Sequence, residues 1–164
     1  MTTPIPFHAS AAFYDAIYSA KPYHNEADVV RELIEQHKQS PGTTLLDVAC
    51  GTGVHLALLS EFYQAEGLDI DAGLLEVAAL RCPTSTIHQG DMESFELKNQ
   101  FDVVTCLFSS IAYMTSRERL GDAIASMARH LLPGGVLIVE PFFFPEQWEA
   151  GRVSTIFVEE PGLR

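Results

Sequence analysis

The stretch TLLDVACGTGVHL, from Thr44 to Leu56, constrains the fold more than any other part of the chain. Leu45, Leu46, Val48 and Ala49 form a short apolar run that suits a strand buried on both faces. Gly51-Thr52-Gly53 follows at once as a turn, and Val54, Leu56, Leu58 and Leu59 then begin a helical pattern. A strand that ends in a glycine turn and feeds a helix N-terminus makes a cradle for a polar ligand. Gly51 and Gly53 are expected to let the backbone approach that ligand with no Cβ in the way. A second short run, Glu66-Gly67-Leu68-Asp69, ends in an acid roughly 20 residues past the glycines, the usual place for a clamp on a ribose hydroxyl pair. The third glycine of the dinucleotide fingerprint is missing, because Leu56 holds its place. That counts against a dinucleotide, whose pyrophosphate needs a close helix–strand approach, and it fits a nucleoside without phosphates. An ordinary glycine-rich turn explains the glycine pair alone, but not the pair together with its strand and its spaced acid.

The rest of the pattern is regular. Ser10 is placed to cap a short helix to about Ser19, broken by Lys21-Pro22-Tyr23-His24. Asn25 is placed to cap a longer helix to about Gln39, which Pro41-Gly42 ends. Strands are expected at 44–49, 65–70, 85–89, 101–108 and 136–140. Helices are expected at 53–62, at 72–81 with Asp71 as its cap, and from a Ser116 cap to about Leu132. Strands alternating with helices imply an α/β fold: a parallel sheet with helices on both faces. Ligands in such sheets bind beyond the carboxyl ends of the strands. Gly51, Gly53, Asp69, Asp91, Ser109 and Glu140 all fall at expected strand ends.

Composition narrows the partners. The chain of 164 residues is one domain's worth, and its net charge of −12 repels phosphate backbones, so no nucleic-acid partner is expected. No basic amphipathic run, no apolar stretch of membrane-spanning length and no leader pattern is visible, so no membrane partner is expected. Cys50, Cys82 and Cys106 are odd in number and widely spaced, which fits neither a disulfide framework nor a metal site and points to a reducing, cytoplasmic setting. Cys50 beside the glycine turn is read as a small buried filler rather than a nucleophile.

Asp47-Val48-Ala49-Cys50-Gly51-Thr52-Gly53 resembles the first motif of class I S-adenosylmethionine-dependent methyltransferases. His88-Gln89-Gly90-Asp91-Met92, Phe108-Ser109-Ser110, Val139-Glu140-Pro141 and Phe144-Pro145-Glu146 extend the likeness to the TDP-aminosugar N-methyltransferases of the desosamine and mycaminose pathways. The resemblance runs from about Phe13 to Ser154. It implies a Rossmann-like, doubly wound sheet of five parallel strands in the order 3-2-1-4-5 beneath an N-terminal helical lid. It implies a covering segment at 1–43, an S-adenosyl-L-methionine-binding core at 44–141 and the start of a substrate-side segment at 142–164. The reaction implied is methyl transfer to a small-molecule acceptor, most specifically the amine of a nucleotide-linked aminosugar.

Site residues follow by the same resemblance. Asp69 would accept from the ribose hydroxyls, with Ile70 beside it. Asp91 would take the adenine amino group while Met92 packs on the ring. Asp47, an acid inside an apolar strand, must be paired, and would lie near the methionine portion with backbone groups of Ala49 and Gly51. Leu107 and Ser109 would complete the lining after the fourth strand. Spacing alone makes Tyr14 and Tyr23 core residues; the resemblance folds them over the cofactor. Tyr14 and Tyr113 are the candidates for orienting the acceptor amine, which needs only to be unprotonated, so no strong base is expected. His24, His55 and His88 are read as structural or surface residues, and no metal site is expected. Phe142, Phe143, Phe144 and Trp148 either close the core or wall the substrate pocket, with Glu140 at its foot.

Val153 to Val158 alternate like a sixth strand, and Glu159-Glu160-Pro161-Gly162 reads as a turn with only Leu163 and Arg164 beyond it. The resembled family continues further, so a shortened chain is expected, with the final strands of the sheet missing or incomplete. An open sheet edge invites cover by a second chain, which makes a homodimer an expected partner. The competing readings are an O-methyltransferase for another small metabolite, a cofactor-binding module without catalysis, and a nicotinamide oxidoreductase, which Leu56 disfavours.

Overall fold

The computed structural model describes residues 11–143, 145–147, 149, 151, 153 and 155. Its centre is β1 (Thr44–Val48), which is hydrogen-bonded in parallel to β2 (Gln64–Asp69) on one side and to β4 (Phe101–Cys106) on the other. β3 (Ile87–Gln89) pairs with β2 and β5 (Leu131–Val139) with β4, giving the parallel order β3-β2-β1-β4-β5. This is the doubly wound order expected for a Rossmann-like sheet.

Side chains alternate across the sheet, so successive residues of β1 serve different cores. Leu45 packs with Val30, Ile34, Leu56, Leu59 and Val103, beneath α2 (Tyr23–His37) and α3 (Val54–Leu59). Leu46 and Val48 pack with Phe101, Val104, Ala123 and Met127, beneath α5 (Arg117–Arg129). Every residue of β4 is buried, its four apolar residues together with Asp102 and Thr105. α4 (Ala72–Arg81) starts at Asp71, whose carboxylate accepts from the Gly73 and Leu74 amides at 2.8 and 3.1 Å. Ser116 caps α5 in the same manner through the Arg119 amide.

Several boundaries differ from expectation, three of them for a visible reason. α2 begins at Tyr23 rather than Asn25: Pro22 stands at its N-cap position without a side-chain cap, and its carbonyl receives the Glu26 amide at 3.2 Å. Proline fixes φ and lacks an amide to leave orphaned, so it enters a helix as readily as it ends one. Pro133-Gly134-Gly135 does not precede the fifth strand but interrupts it. Phe101 faces Leu131 while Val103 already faces Val136, so the proline–glycine segment is extruded as a bulge and Leu131 belongs to the sheet, not to α5. The Gly134 carbonyl accepts from the Gln39 and Ser40 amides, tying the exit of α2 to that bulge. β4 stops at Cys106, because Phe108 and Ser109 turn the chain with φ of 52° and 57°. Ahead of the sheet lies α1 (Ala11–Ile17). Within the expected sixth strand only Val153 and Thr155 are described, with no regular structure; the remainder lies outside the described residues, as do Phe144 and Trp148.

Candidate functional site

At the carboxyl edge of the sheet the chain leaves β1 through three left-handed residues: Ala49 at φ 59°, Gly51 at 57° and Gly53 at 78°. The turn is bound to β2 by Asp69, which is 7% exposed. Its Oδ2 accepts from the Gly51 amide at 2.8 Å and its Oδ1 from the Asp71 amide at 2.9 Å. Burial raises the Asp69 pKa, against the pull of those two amides. Each oxygen keeps a further lone pair, so the carboxylate that shapes the turn can still accept from a ligand.

Beyond Asp69 opens a cleft of about 240 Å³. Its walls bring together Tyr14, Ala49, Gly51, Asp69, Ile70, Asp91, Met92 and Tyr113, all of them expected site residues. A smaller compartment of about 30 Å³ adjoins it, walled by Tyr23, Asp47, His55, Leu107 and Phe108 among others. Tyr14, Ala49, Gly51 and Ser110 border both spaces. Tyr14 reaches this position because α1 is pinned at its neighbour: Asp15 accepts from Thr52 Oγ1 and from Arg81 Nη2, each at 2.6 Å, and Arg81 also donates to the Thr52 carbonyl. Tyr14 packs tilted against Tyr18 at 4.8 Å between centroids, and Tyr18 stands edge-on to Phe108 at 4.8 Å.

The polar groups are tuned by burial. Asp47 is pushed up to about 6 by burial, moderated by the Thr105 hydroxyl, which donates to its Oδ1 at 2.7 Å. The phenol of Tyr14 is raised well above its ordinary range by burial, then by Tyr23. Tyr23 is pushed up to about 12 by burial, then by Asp15. Both phenols therefore stay protonated at neutral pH. Burial also raises the Cys50 thiol, which leaves it inert, and all three cysteines are buried and unpaired with one another.

Two expected residues are not brought to the cleft. A Cβ on Gly53 would lie 3.1 Å from the Ala78 Cβ and 3.3 Å from Cys82 Sγ, so its bareness serves the contact between the turn and α4. Ser109 turns away and donates to the Pro141 carbonyl at 3.1 Å; Ser110 takes the wall position instead. The close approach that a third glycine would supply is achieved from the opposite partner. Gly67 of β2 lies under Leu56, and a Cβ there would come within 2.7 Å of Leu56 Cδ2. Phe142 and Phe143 are exposed and pack on each other at 5.0 Å, and Glu140 accepts from the Phe108 amide at 2.7 Å. Sequence reasoning missed Thr105, which only the β1–β4 register sets beside Asp47. It also missed Arg119, which reaches the cleft rim from an exposed helix face while paired to Glu93 at 2.7 Å through two nitrogens.

Comparison with known proteins agrees with this geometry. A family profile described as "Methyltransferase domain" matches residues 45–135. The chain belongs to that family. It is 41% identical over 155 residues to dTDP-3-amino-3,6-dideoxy-alpha-D-glucopyranose N,N-dimethyltransferase of Streptomyces fradiae, covering 93% of this chain and 60% of that protein. Among solved structures it matches Streptomyces venezuelae DesVI with a TM-score of 0.84 and 40% identity, over 94% of this chain and 66% of that one. It matches SAM-bound CalS10, an amino pentose methyltransferase from Micromonospora echinaspora, with a TM-score of 0.82 and 36% identity, over 99% of this chain and 68% of that one. The chain thus spans about two thirds of the length of these relatives.

Proposed function

We propose that this chain binds S-adenosyl-L-methionine and transfers its methyl group to the amine of a nucleotide-linked aminosugar. The observation that carries the reading is the pair of joined compartments, with one buried carboxylate, Asp69, in the wall of the larger and another, Asp47, in the wall of the smaller. Both acids are raised by burial, so a positively charged neighbour stabilises them, whereas a pyrophosphate would face two carboxylates. The residues present therefore fit a cationic nucleoside. The similarity to aminosugar N,N-dimethyltransferases supports the acceptor class.

The cofactor supplies, when bound, a methyl group made electrophilic by its charged sulfur. The protein's part is to bind, align and exclude water. Asp69 accepts from the ribose hydroxyls, Asp91 from the adenine amino group, and Ile70 and Met92 flank the ring. Asp47, with backbone groups of Ala49 and Gly51, holds the amino-acid portion alongside Tyr23 and Leu107. Tyr14 and Tyr113 orient the acceptor amine by hydrogen bonding. An amine that arrives unprotonated needs no strong base, and the phenol of Tyr14 holds its proton.

The division into a covering segment (1–43), a binding core (44–141) and a substrate-side segment (142–164) belongs to the same proposal. So do a cytoplasmic setting, a small-molecule acceptor, no nucleic-acid partner, and a homodimer. Among the described residues no helix is long and apolar enough to cross a membrane. Calorimetry with S-adenosylhomocysteine, followed by mass spectrometry of a dTDP-aminosugar incubated with enzyme and cofactor, tests the reading. Binding with a mass gain of one or two methyl groups supports it. Binding without turnover on amines or hydroxyls marks a binding module, and binding of NADH instead refutes it. Asp69→Ala is expected to weaken S-adenosylhomocysteine by at least tenfold.

A further inference from the structure

The stretch between β3 and β4 contains no helix or strand, yet it carries Asp91 and Met92, two walls of the larger cleft. Its first turn closes on itself. The Glu93 amide donates to Asp91 Oδ1 and the Ser94 amide to the Asp91 carbonyl, each at 3.0 Å. The end of α5 then sets where that turn sits. Ser126, fully buried, donates from Oγ to the Glu93 carbonyl at 2.7 Å, and Arg119 grips the Glu93 carboxylate. Four residues beyond Ser126, the buried ring of His130 accepts the Leu97 amide on Nε2 at 2.9 Å. The same ring is stacked on Phe95, with 4.4 Å between centroids and 25° between planes.

These bonds fix the state of the His130 ring. An amide N–H only donates, so Nε2 must present a lone pair to Leu97. Nδ1 lies 2.7 Å from the Ser126 carbonyl, which only accepts, so Nδ1 carries the proton. A second proton, on Nε2, would set two donors against each other and leave the Leu97 amide without its acceptor. The charged side chains on the elements around the ring are engaged elsewhere or exposed. Arg129 donates to Ser126 Oγ at 2.8 Å, Glu93 is held by Arg119, and Asp102 of β4 accepts from the Gly42 and Thr44 amides. Asp91 faces the cleft, Glu96 and Lys98 are exposed, and β5 carries no charged residue.

We infer that His130 is the positioning residue of the cleft wall that meets the adenine. In its neutral form, protonated on Nδ1, it holds Phe95 and Leu97, and through them the turn that presents Asp91 and Met92. The inference rests on the proposed cofactor. It ties nucleoside affinity to the charge of a ring that lines neither compartment. Because the bound state requires the neutral ring, affinity falls as pH falls, and binding displaces protons.

The probe is 5′-deoxy-5′-methylthioadenosine, which has the nucleoside and lacks the amino-acid end assigned to Asp47. Calorimetry of the unaltered protein near pH 6, in two buffers of unlike ionisation enthalpy, is expected to show proton release on binding. Affinity is expected to be at least threefold lower near pH 5.5 than near pH 8. His130→Gln places a non-ionising acceptor within reach of the Leu97 amide. It is expected to bind within about threefold of the parent near pH 8, to release fewer protons and to lose less affinity at low pH. Asp69 titrates in both proteins, so the difference between them belongs to His130. His130→Leu, which offers no acceptor, is expected to weaken the probe about tenfold at both pH values, as loss of one partner of a hydrogen bond does. The comparison of the parent with His130→Gln stands whether or not His130→Leu folds. A glutamine variant with the parent's proton release and pH dependence overturns the inference, as does a folded His130→Leu that binds the probe as tightly as the parent. Either result leaves the cofactor standing. An unaltered protein that binds neither the probe nor S-adenosylhomocysteine overturns both.

Discussion

Gly67→Ala puts the packing beneath the glycine turn to a direct test. The added methyl would lie 2.7 Å from Leu56 Cδ2, 2.9 Å from Cys50 Sγ and 3.2 Å from Ile87 Cδ1. Leu56 is fully buried and Cys50 nearly so, which leaves neither side chain free to swing into solvent. Overpacking of this kind costs about 1–3 kcal/mol. In a domain of this size that lowers Tm by roughly 2–4 °C per kcal/mol, or about 2–12 °C in all. The paired experiment is Leu56→Ala, which alone should cost about 2–5 kcal/mol by leaving a cavity. In the double variant the new methyl enters part of that cavity, so the combined loss should fall short of the sum by about 1 kcal/mol or more. Urea unfolding of the four proteins reads this cycle. The reasoning is refuted if Gly67→Ala is as stable as the parent, or if the two losses simply add.

Three further perturbations have worked signs. Asp47 has a folded pKa of about 6, above its ordinary 3.8, so its ionisation opposes folding: the penalty is absent below about pH 4 and grows as pH rises to 6. Asp47→Asn should therefore raise unliganded stability at pH 8 by up to about 3 kcal/mol in thermal or urea unfolding, while weakening S-adenosylhomocysteine. Asp102, at the opposite edge of the sheet, accepts from the Gly42 and Thr44 amides and the Thr44 hydroxyl at 2.7–3.1 Å. Although burial pushes it up, those bonds hold it down to about 2. Its contribution of about 2 kcal/mol is present above pH 4 and lost as pH falls toward 2, and Asp102→Asn should flatten that limb of a pH–stability curve. Arg81→Ala frees the Asp15 latch on α1; the pair is partly exposed, so stability should change by less than about 1 kcal/mol, while stopped-flow release of S-adenosylhomocysteine should quicken several-fold.

The strand–turn–helix unit was readable because its signals are local. Two-face burial shows as a mostly apolar run, and the Asp71 cap shows as an acid before a helix. The 18-residue interval from Gly51 to Asp69 becomes a hydrogen bond in the structure. What escaped depends on contacts made across the sheet. Gly53 and Gly67 look interchangeable with any turn or strand glycine until Ala78 and Leu56 are placed against them. Thr105 reads as one polar residue in an apolar strand until register sets it beside Asp47. The Pro133-Gly134-Gly135 bulge reads as a turn because proline and glycine mark both, and only pairing on either side tells them apart.

Tyr14 borders both compartments, and this shared boundary limits how ligand preference can be redesigned. In the proposed binding mode, a change of shape at position 14 alters the space for the nucleoside and for its tail together, so it cannot favour one at the other's expense. Discrimination between full-length and truncated analogues has to come from residues that border a single space: Asp91 and Met92 on one side, Tyr23 and His55 on the other.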